Sequence, residues 1–356
     1  MKLKLINVIR VFAGLLFICF MACEGDVGPT GPQGPSGPIG PQGIAGADGQ
    51  DGQNGAENCV DCHGNNQLIT AKIFQWENSL HYTGGNFTRN NATCGACHTS
   101  QGFLDRVATG SIAASADVED PLPPNCYTCH QIHQTYTGAD WALTSQDPVT
   151  LWVGGATVDL GGSNQCINCH QPRLREPQVP TPGDEGMLEI TSAFWGPHHG
   201  AQGALFTGNG AFEIGDGYVN SSHQAVVPNA CITCHMASVI EGRGAGGHTF
   251  RVETEDGDLN YNGCVACHAD PDALDVLVET TQSEIEELLA ELNAKLKEVG
   301  ILAPRFGTDR AVPGTWTATQ VGVLWNYLYV EEDKSNGVHN ALYAKVLLEN
   351  SIAALD

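Results

Sequence analysis

Positive charge is scarce in this 356-residue chain: 16 Lys and Arg stand against 40 Asp and Glu, a formal net charge of -24. Such a surface repels phosphate backbones, which excludes nucleic acid as a partner. Aromatic residues are also few, at 7%, and 43 Gly and 18 Pro interrupt the rest. A large core built from side chains alone is therefore not expected. The apolar run from Val11 to Ala22 is shorter than the about 20 residues a membrane-spanning helix requires, and Arg10 bounds it. What the chain has in quantity is Cys, 14, and His, 13. Fourteen Cys admit disulfides, zinc or haem attachment, and their spacing decides among these.

Lys2, Lys4 and Arg10 precede the apolar run, and the small residue Ala22 stands before Cys23. That is the plan of a secretory signal over residues 1–22. The stretch resembles a bacterial lipoprotein signal, which implies that Cys23 becomes the lipidated first residue of the mature chain. Phe20 departs from the Leu usual in that family, and ordinary cleavage near Ala22 is the alternative. In that family Glu24 after the Cys implies sorting to the outer membrane, and so an exported, outer-membrane, cell-surface or extracellular location.

Residues 23–57 contain a strict period: from Gly25 to Gly55 every third residue is Gly, and five consecutive triplets from Gly28 place Pro directly after it. Only Gly fits the axis of a collagen triple helix, and Pro pre-sets polyproline II dihedrals. The segment resembles the collagen-like stalks of bacterial surface proteins, which implies a trimer; a monomeric spacer is the alternative. Either arrangement reaches on the order of 100 Å at about 3.1 Å per residue.

Residues 58–270 carry six C-x-x-C-H motifs: Cys59, Cys62, His63; Cys94, Cys97, His98; Cys126, Cys129, His130; Cys166, Cys169, His170; Cys231, Cys234, His235; and Cys264, Cys267, His268. Two thiols three positions apart can add to the two vinyl groups of one porphyrin, while the next residue supplies an imidazole to its iron. Thioredoxin-like and zinc motifs do not require that His, so its presence after all six pairs points to six c-type haems. Twelve Cys are thereby assigned, leaving Cys19 and Cys23. About 35 residues per haem cannot isolate one porphyrin from the next, so the rings are expected to stack closely and to form the hydrophobic core. A chain made without haem is then not expected to fold.

Seven His lie outside the motifs: His81, His133, His198, His199, His223, His248 and His339. They are seven candidates for six distal iron positions, and bis-His iron is six-coordinate and suited to electron transfer. His133 follows His130 by three residues, so on a helix both share a face and His133 serves a neighbouring haem. His81 ends a helical stretch with Ile73, Trp76 and Leu80 as an apolar stripe, stopped by Gly84-Gly85. His198 and His199 are adjacent and face different directions, which places the surplus His there.

CITCHM at Cys231, GGHTF around His248 and DKSNGVHNALYAKVLLENS around His339 resemble ligand-bearing segments of multihaem c-type cytochromes, over residues 59–356. The resemblance implies His248 and His339 as distal ligands. The C-x-x-C-K motif of the related nitrite reductases is missing. Six bis-His haems instead resemble extracellular cytochromes that polymerise into filaments, in which a neighbour can donate a distal His; His81 or a His in the 198–223 segment is the candidate for that role. The function implied is electron transfer to redox partner proteins or extracellular acceptors, with no catalytic residue. A multihaem reductase of nitrite, hydroxylamine or a sulfur oxyanion, using one open haem, is the alternative. The acidic surface suits cationic redox proteins, metal ions or minerals.

Residues 271–356 read as a C-terminal helical arm. Ile285, Leu288, Leu289, Leu292 and Leu296 have helical spacing over 276–299, Glu291 and Lys295 form an i,i+4 pair, and Glu284, Glu286 and Glu287 mark a solvated face. Helices near 317–332 and 338–354 flank His339. The fold class expected is mainly α and irregular coil with little β.

Overall fold

The computed structural model describes residues 59, 63, 64, 67–240 and 244–356; the signal, Cys23, the Gly-X-Y segment and Cys62 lie outside the described residues. The chain is mainly helical and irregular. Its helices are α1 (Gln67–Glu77), α2 (Leu80–Thr83), α3 (Ala92–His98), α4 (Ser100–Thr109), α5 (Cys126–Cys129), α6 (Asn164–Ile167), α7 (Gln202–Thr207), α8 (His223–Val226), α9 (Ala230–His235), α10 (Pro271–Val299), α11 (Ala318–Asp333) and α12 (Ala341–Ala353). Short antiparallel ladders join β1 (Val149–Thr150) to β2 (Thr157–Val158), β3 (Met187–Ile190) to β6 (Gly314–Thr317), and β4 (Leu302–Arg305) to β5 (Thr308–Ala311). Pairing of Met187 with Thr317 and Ile190 with Gly314 ties the C-terminal segment back to the motif region.

The last three long helices form for reasons visible in their ends. Asp270 caps α10 by accepting from the backbone of Asp272 and Ala273, Pro271 occupies the first turn, and Gly300, at φ +89°, closes it. Thr317 and Gln320 form a reciprocal capping box at the start of α11. The helix predicted over 276–299 thus begins five residues earlier. Lys295 pairs with Asp356 rather than with Glu291, and Glu284 with Lys345 at 3.0 Å.

Side chains alone do make a sizeable core here, contrary to the expectation from composition that they would not. Ile285, Leu292 and Leu296 of α10 meet Val321, Leu324, Trp325 and Leu328 of α11 and Tyr343, Leu347 and Leu348 of α12. The same cluster takes in Leu151, Val153, Ile167, Leu205 and Phe212 from the motif region. The low apolar average of the sequence conceals this because the apolar residues are concentrated: α11 is buried on nearly every side. Gly322 allows the Phe212 ring to lie on α11, where a Cβ would overlap it. Buried Asn326 fixes the same loop, accepting from Phe212 N at 2.8 Å and donating to Phe212 O at 2.7 Å and Ser351 Oγ at 2.9 Å.

Two further expectations change near the motifs. The helix expected to run to His81 breaks at Asn78 and Ser79, whose side chains donate to Phe74 O and Trp76 O at 2.7 Å each and so compete with the ladder. Ile73 and Leu80 are exposed in this structure. His130 and His133 do not share a helix: α5 ends at Cys129, His130 is extended at ψ 151°, and His133 is left-handed at φ +62°. Their imidazoles accordingly leave the backbone in different directions.

Candidate metal centres

The motifs beginning at Cys94, Cys126, Cys166 and Cys231 start in short helices, and the one beginning at Cys264 lies in hydrogen-bonded turns. His130 N donates to Cys126 O at 2.8 Å, His170 N to Cys166 O at 3.0 Å, and His268 N to Cys264 O at 2.9 Å. The bond from the fifth motif residue to the first brings two thiols and one imidazole to a single turn. Asn residues start several of these turns: Asn91 accepts from Cys94 N, Asn125 from Tyr127 N, and Asn260 from Asn262 N. Among the described cysteines none forms a disulfide.

The imidazoles meet in pairs, one motif His and one non-motif His in each. Ring centroids lie 5.8 Å apart for His63 and His133, 6.1 Å for His98 and His198, and 6.3 Å for His130 and His248. The values are 6.2 Å for His170 and His81, 6.1 Å for His235 and His339, and 6.2 Å for His268 and His223. Two imidazoles bound through nitrogen at about 2 Å on opposite sides of one metal have centroids about 6 Å apart. All six pairs have that spacing, and each draws both rings from the same chain.

His199 is the remaining ring. It is left-handed at φ +54°, as is His198 at φ +66°, so consecutive side chains turn to different neighbours. His198 goes to His98, while His199 Nδ1 pairs with Glu332 and its backbone N donates to the same carboxylate at 2.7 Å.

Hydrogen bonds at Nδ1 orient several of the paired rings. His130 Nδ1 donates to Trp141 O at 2.8 Å, His235 Nδ1 to Phe250 O at 2.9 Å, and His339 Nδ1 to Asp333 Oδ1 at 2.7 Å. His170 Nδ1 lies 3.3 Å from Gln202 Oε1 and His133 Nδ1 3.1 Å from Tyr127 OH. An imidazole that donates from Nδ1 keeps the Nε2 lone pair for a metal. Metal binding also requires the neutral ring. Burial, with the positive potential of His170, lowers His81 to about 4; burial, with Arg173, lowers His198 to about 3; and burial, with Lys72, lowers His248 to about 4.

Long-range contacts deliver the partner rings. Gly246 and Gly247 have φ of +90° and +55°, and a Cβ on Gly247 would collide with Gln75 Oε1, the atom that accepts from His248 N at 3.0 Å. That turn packs against α1. Phe250, itself left-handed at φ +57°, places its ring 4.9 Å from His81 and 6.0 Å from His248 while its carbonyl holds His235. Thiols of different motifs also lie close together, Cys97 beside Cys169 and Cys166 beside Cys231.

Sequence reasoning did not find the residues that orient the rings. Trp141, Phe250 and Gln202 act through carbonyl or amide oxygens and carry no residue-type signal. Asp333, six positions before His339, could have been suspected from an acid near a ligand candidate. Arg89 and Arg173, two of the chain's few cations, face His98 and help burial to lower its pKa.

No model of a protein family matches the sequence, and no curated protein matches it. Among solved structures, the crystal structure of the outer cell wall cytochrome OcwA is similar at 21% identity and a TM-score of 0.51 over 80% of this chain. The chain spans about half the length of that protein, 50%. The likeness is one of fold: a mainly helical and irregular chain with small antiparallel ladders, as in a cytochrome.

Proposed function

We propose that this chain is an exported hexahaem c-type cytochrome that transfers electrons one at a time outside the cell. The observation that carries this reading is the set of six imidazole pairs, each joining a C-x-x-C-H histidine to a second histidine at the spacing of two axial ligands. Cys59 and Cys62, Cys94 and Cys97, Cys126 and Cys129, Cys166 and Cys169, Cys231 and Cys234, and Cys264 and Cys267 hold the six haem c groups as thioethers. Iron held on both faces by imidazole supplies one-electron exchange and leaves no position open for substrate.

The rest of the chain serves those pairs. Residues 58–270 hold the cofactors, and 271–356 contribute His339 and most of the apolar core. The signal over 1–22 exports the chain, Cys23 anchors it to the outer membrane by a lipid, and the Gly-X-Y stalk sets it away from the surface. A neighbour of the same fold named for the outer cell wall supports that location. Redox proteins and extracellular acceptors of positive charge are the partners that a charge of -24 favours. Because every pair is complete within one chain, assembly into a filament or a stalk trimer needs no histidine from a neighbour.

The test is spectroscopic. The chain matured with haem should carry six haems by mass and pyridine haemochrome, all low-spin when ferric. Three pairs cross at 71°, 74° and 72° and three at 32°, 34° and 46°, so electron paramagnetic resonance should divide equally between strongly anisotropic and rhombic low-spin signals. A high-spin fraction as isolated would move the assignment to the multihaem reductase, and fewer than six haems would overturn the count.

A further inference from the structure

We infer that Asp333 is a positioning residue that makes the His235/His339 centre the lowest in potential of the six, an inference that rests on the haem reading above. The Asp333 side chain has no exposed surface, and its Oδ1 accepts the Nδ1 proton of His339 at 2.7 Å. Its other oxygen, Oδ2, accepts from Ser335 N at 3.2 Å and from Ser335 Oγ.

The placement is costly for the fold, which argues that it serves the ring. Asp333 is the last residue of α11, where the helix dipole already disfavours negative charge. The nearby cation Lys334 is taken by Glu331 instead. A buried carboxylate is stable only with strong partners, and His339 is the one here that leads to a pair.

The remaining Nδ1 contacts seen among the paired rings are to neutral groups: Trp141 O, Phe250 O, Gln202 Oε1 and Tyr127 OH. Glu332, the neighbouring carboxylate, serves His199, which belongs to no pair. A carboxylate on Nδ1 makes an imidazole a stronger electron donor to the metal, and in a low-dielectric site its charge opposes the arrival of an electron. Both effects favour the ferric form. Reduction by an external one-electron donor adds one electron to the iron and moves no proton, since the Nδ1 proton stays between His339 and Asp333.

The holoprotein tests this by potentiometric titration followed in the visible spectrum and by electron paramagnetic resonance. Asp333→Asn keeps an acceptor oxygen and removes the charge. The lowest one-electron wave should then rise so that the ferrous-to-ferric ratio at a fixed potential increases about tenfold, equivalent to about 59 mV. Ser335→Ala removes a competing donor from Asp333, along with the Oγ that accepts from His339 N at 3.2 Å, and should move the same wave in the opposite direction while the low-spin electron paramagnetic resonance signals stay unchanged. Glu332→Gln should leave that wave in place. Six haems with the lowest wave unmoved in both Asp333→Asn and Ser335→Ala overturn the role of Asp333 and leave the cytochrome reading standing; a matured chain without haem overturns both.

Discussion

His198 and His199 show how little separates a ligand from a bystander at the scale of one residue. Both are left-handed, both carry an imidazole, and one residue of offset sends the first to His98 and the second to Glu332. A His198→Ala chain should therefore gain one high-spin haem in six and bind about one equivalent of carbon monoxide when reduced. His199→Ala should remain entirely low-spin and bind none. A reversal of the two results would exchange the roles of these residues. The sequence narrowed the surplus histidine to this dipeptide, because adjacent side chains cannot both serve one iron. It could not choose between them, since the choice lies in Arg173 packed near one ring and a carboxylate 133 positions away paired with the other.

At the scale of elements, what was legible follows from how local each cause is. The C-x-x-C-H turns and α10 were readable because one helical turn or one apolar stripe defines each of them. The spacing predicts one helix running to His81 and a helical His133, but side-chain hydrogen bonds at Asn78 and Ser79 divide the first, leaving His81 on the separate short α2, and a left-handed backbone takes His133 out of any helix. The partner of each motif histidine was unreadable, since His81 reaches His170 and His339 reaches His235 only after distant segments have packed. The core was misjudged for a related reason: an average over 356 residues hides one helix buried nearly all round. Leu292 lies fully buried between α11 and α12, so Leu292→Ala should cost about 2–5 kcal/mol in denaturant unfolding of the holoprotein, with all six haems retained. Asp356→Asn, which breaks an exposed pair with Lys295, should change stability by less than about 1 kcal/mol.

The whole molecule then divides by what holds it together. Around α10, α11 and α12 the apolar contacts are between side chains, whereas the turns at residues 67–140 are short and carry little of that cluster. A chain with its twelve motif cysteines replaced by Ser should keep slow hydrogen exchange over 271–353 and lose it over 67–140. Uniform loss of protection would restore the expectation of a core made of porphyrins throughout.

Phe250 gives the array a shape that pair distances do not convey. Its ring lies beside His81 and His248 and its carbonyl holds His235, so three of the six pairs converge on one residue. With a haem in each pair, as proposed above, three centres meeting at one residue would make a fork rather than a line. Traffic through a line stops at its weakest step, but a fork keeps two branches joined when the third is blocked. This protein would then act less as a cable than as a junction box, with entry and exit set by whichever arm a partner can reach.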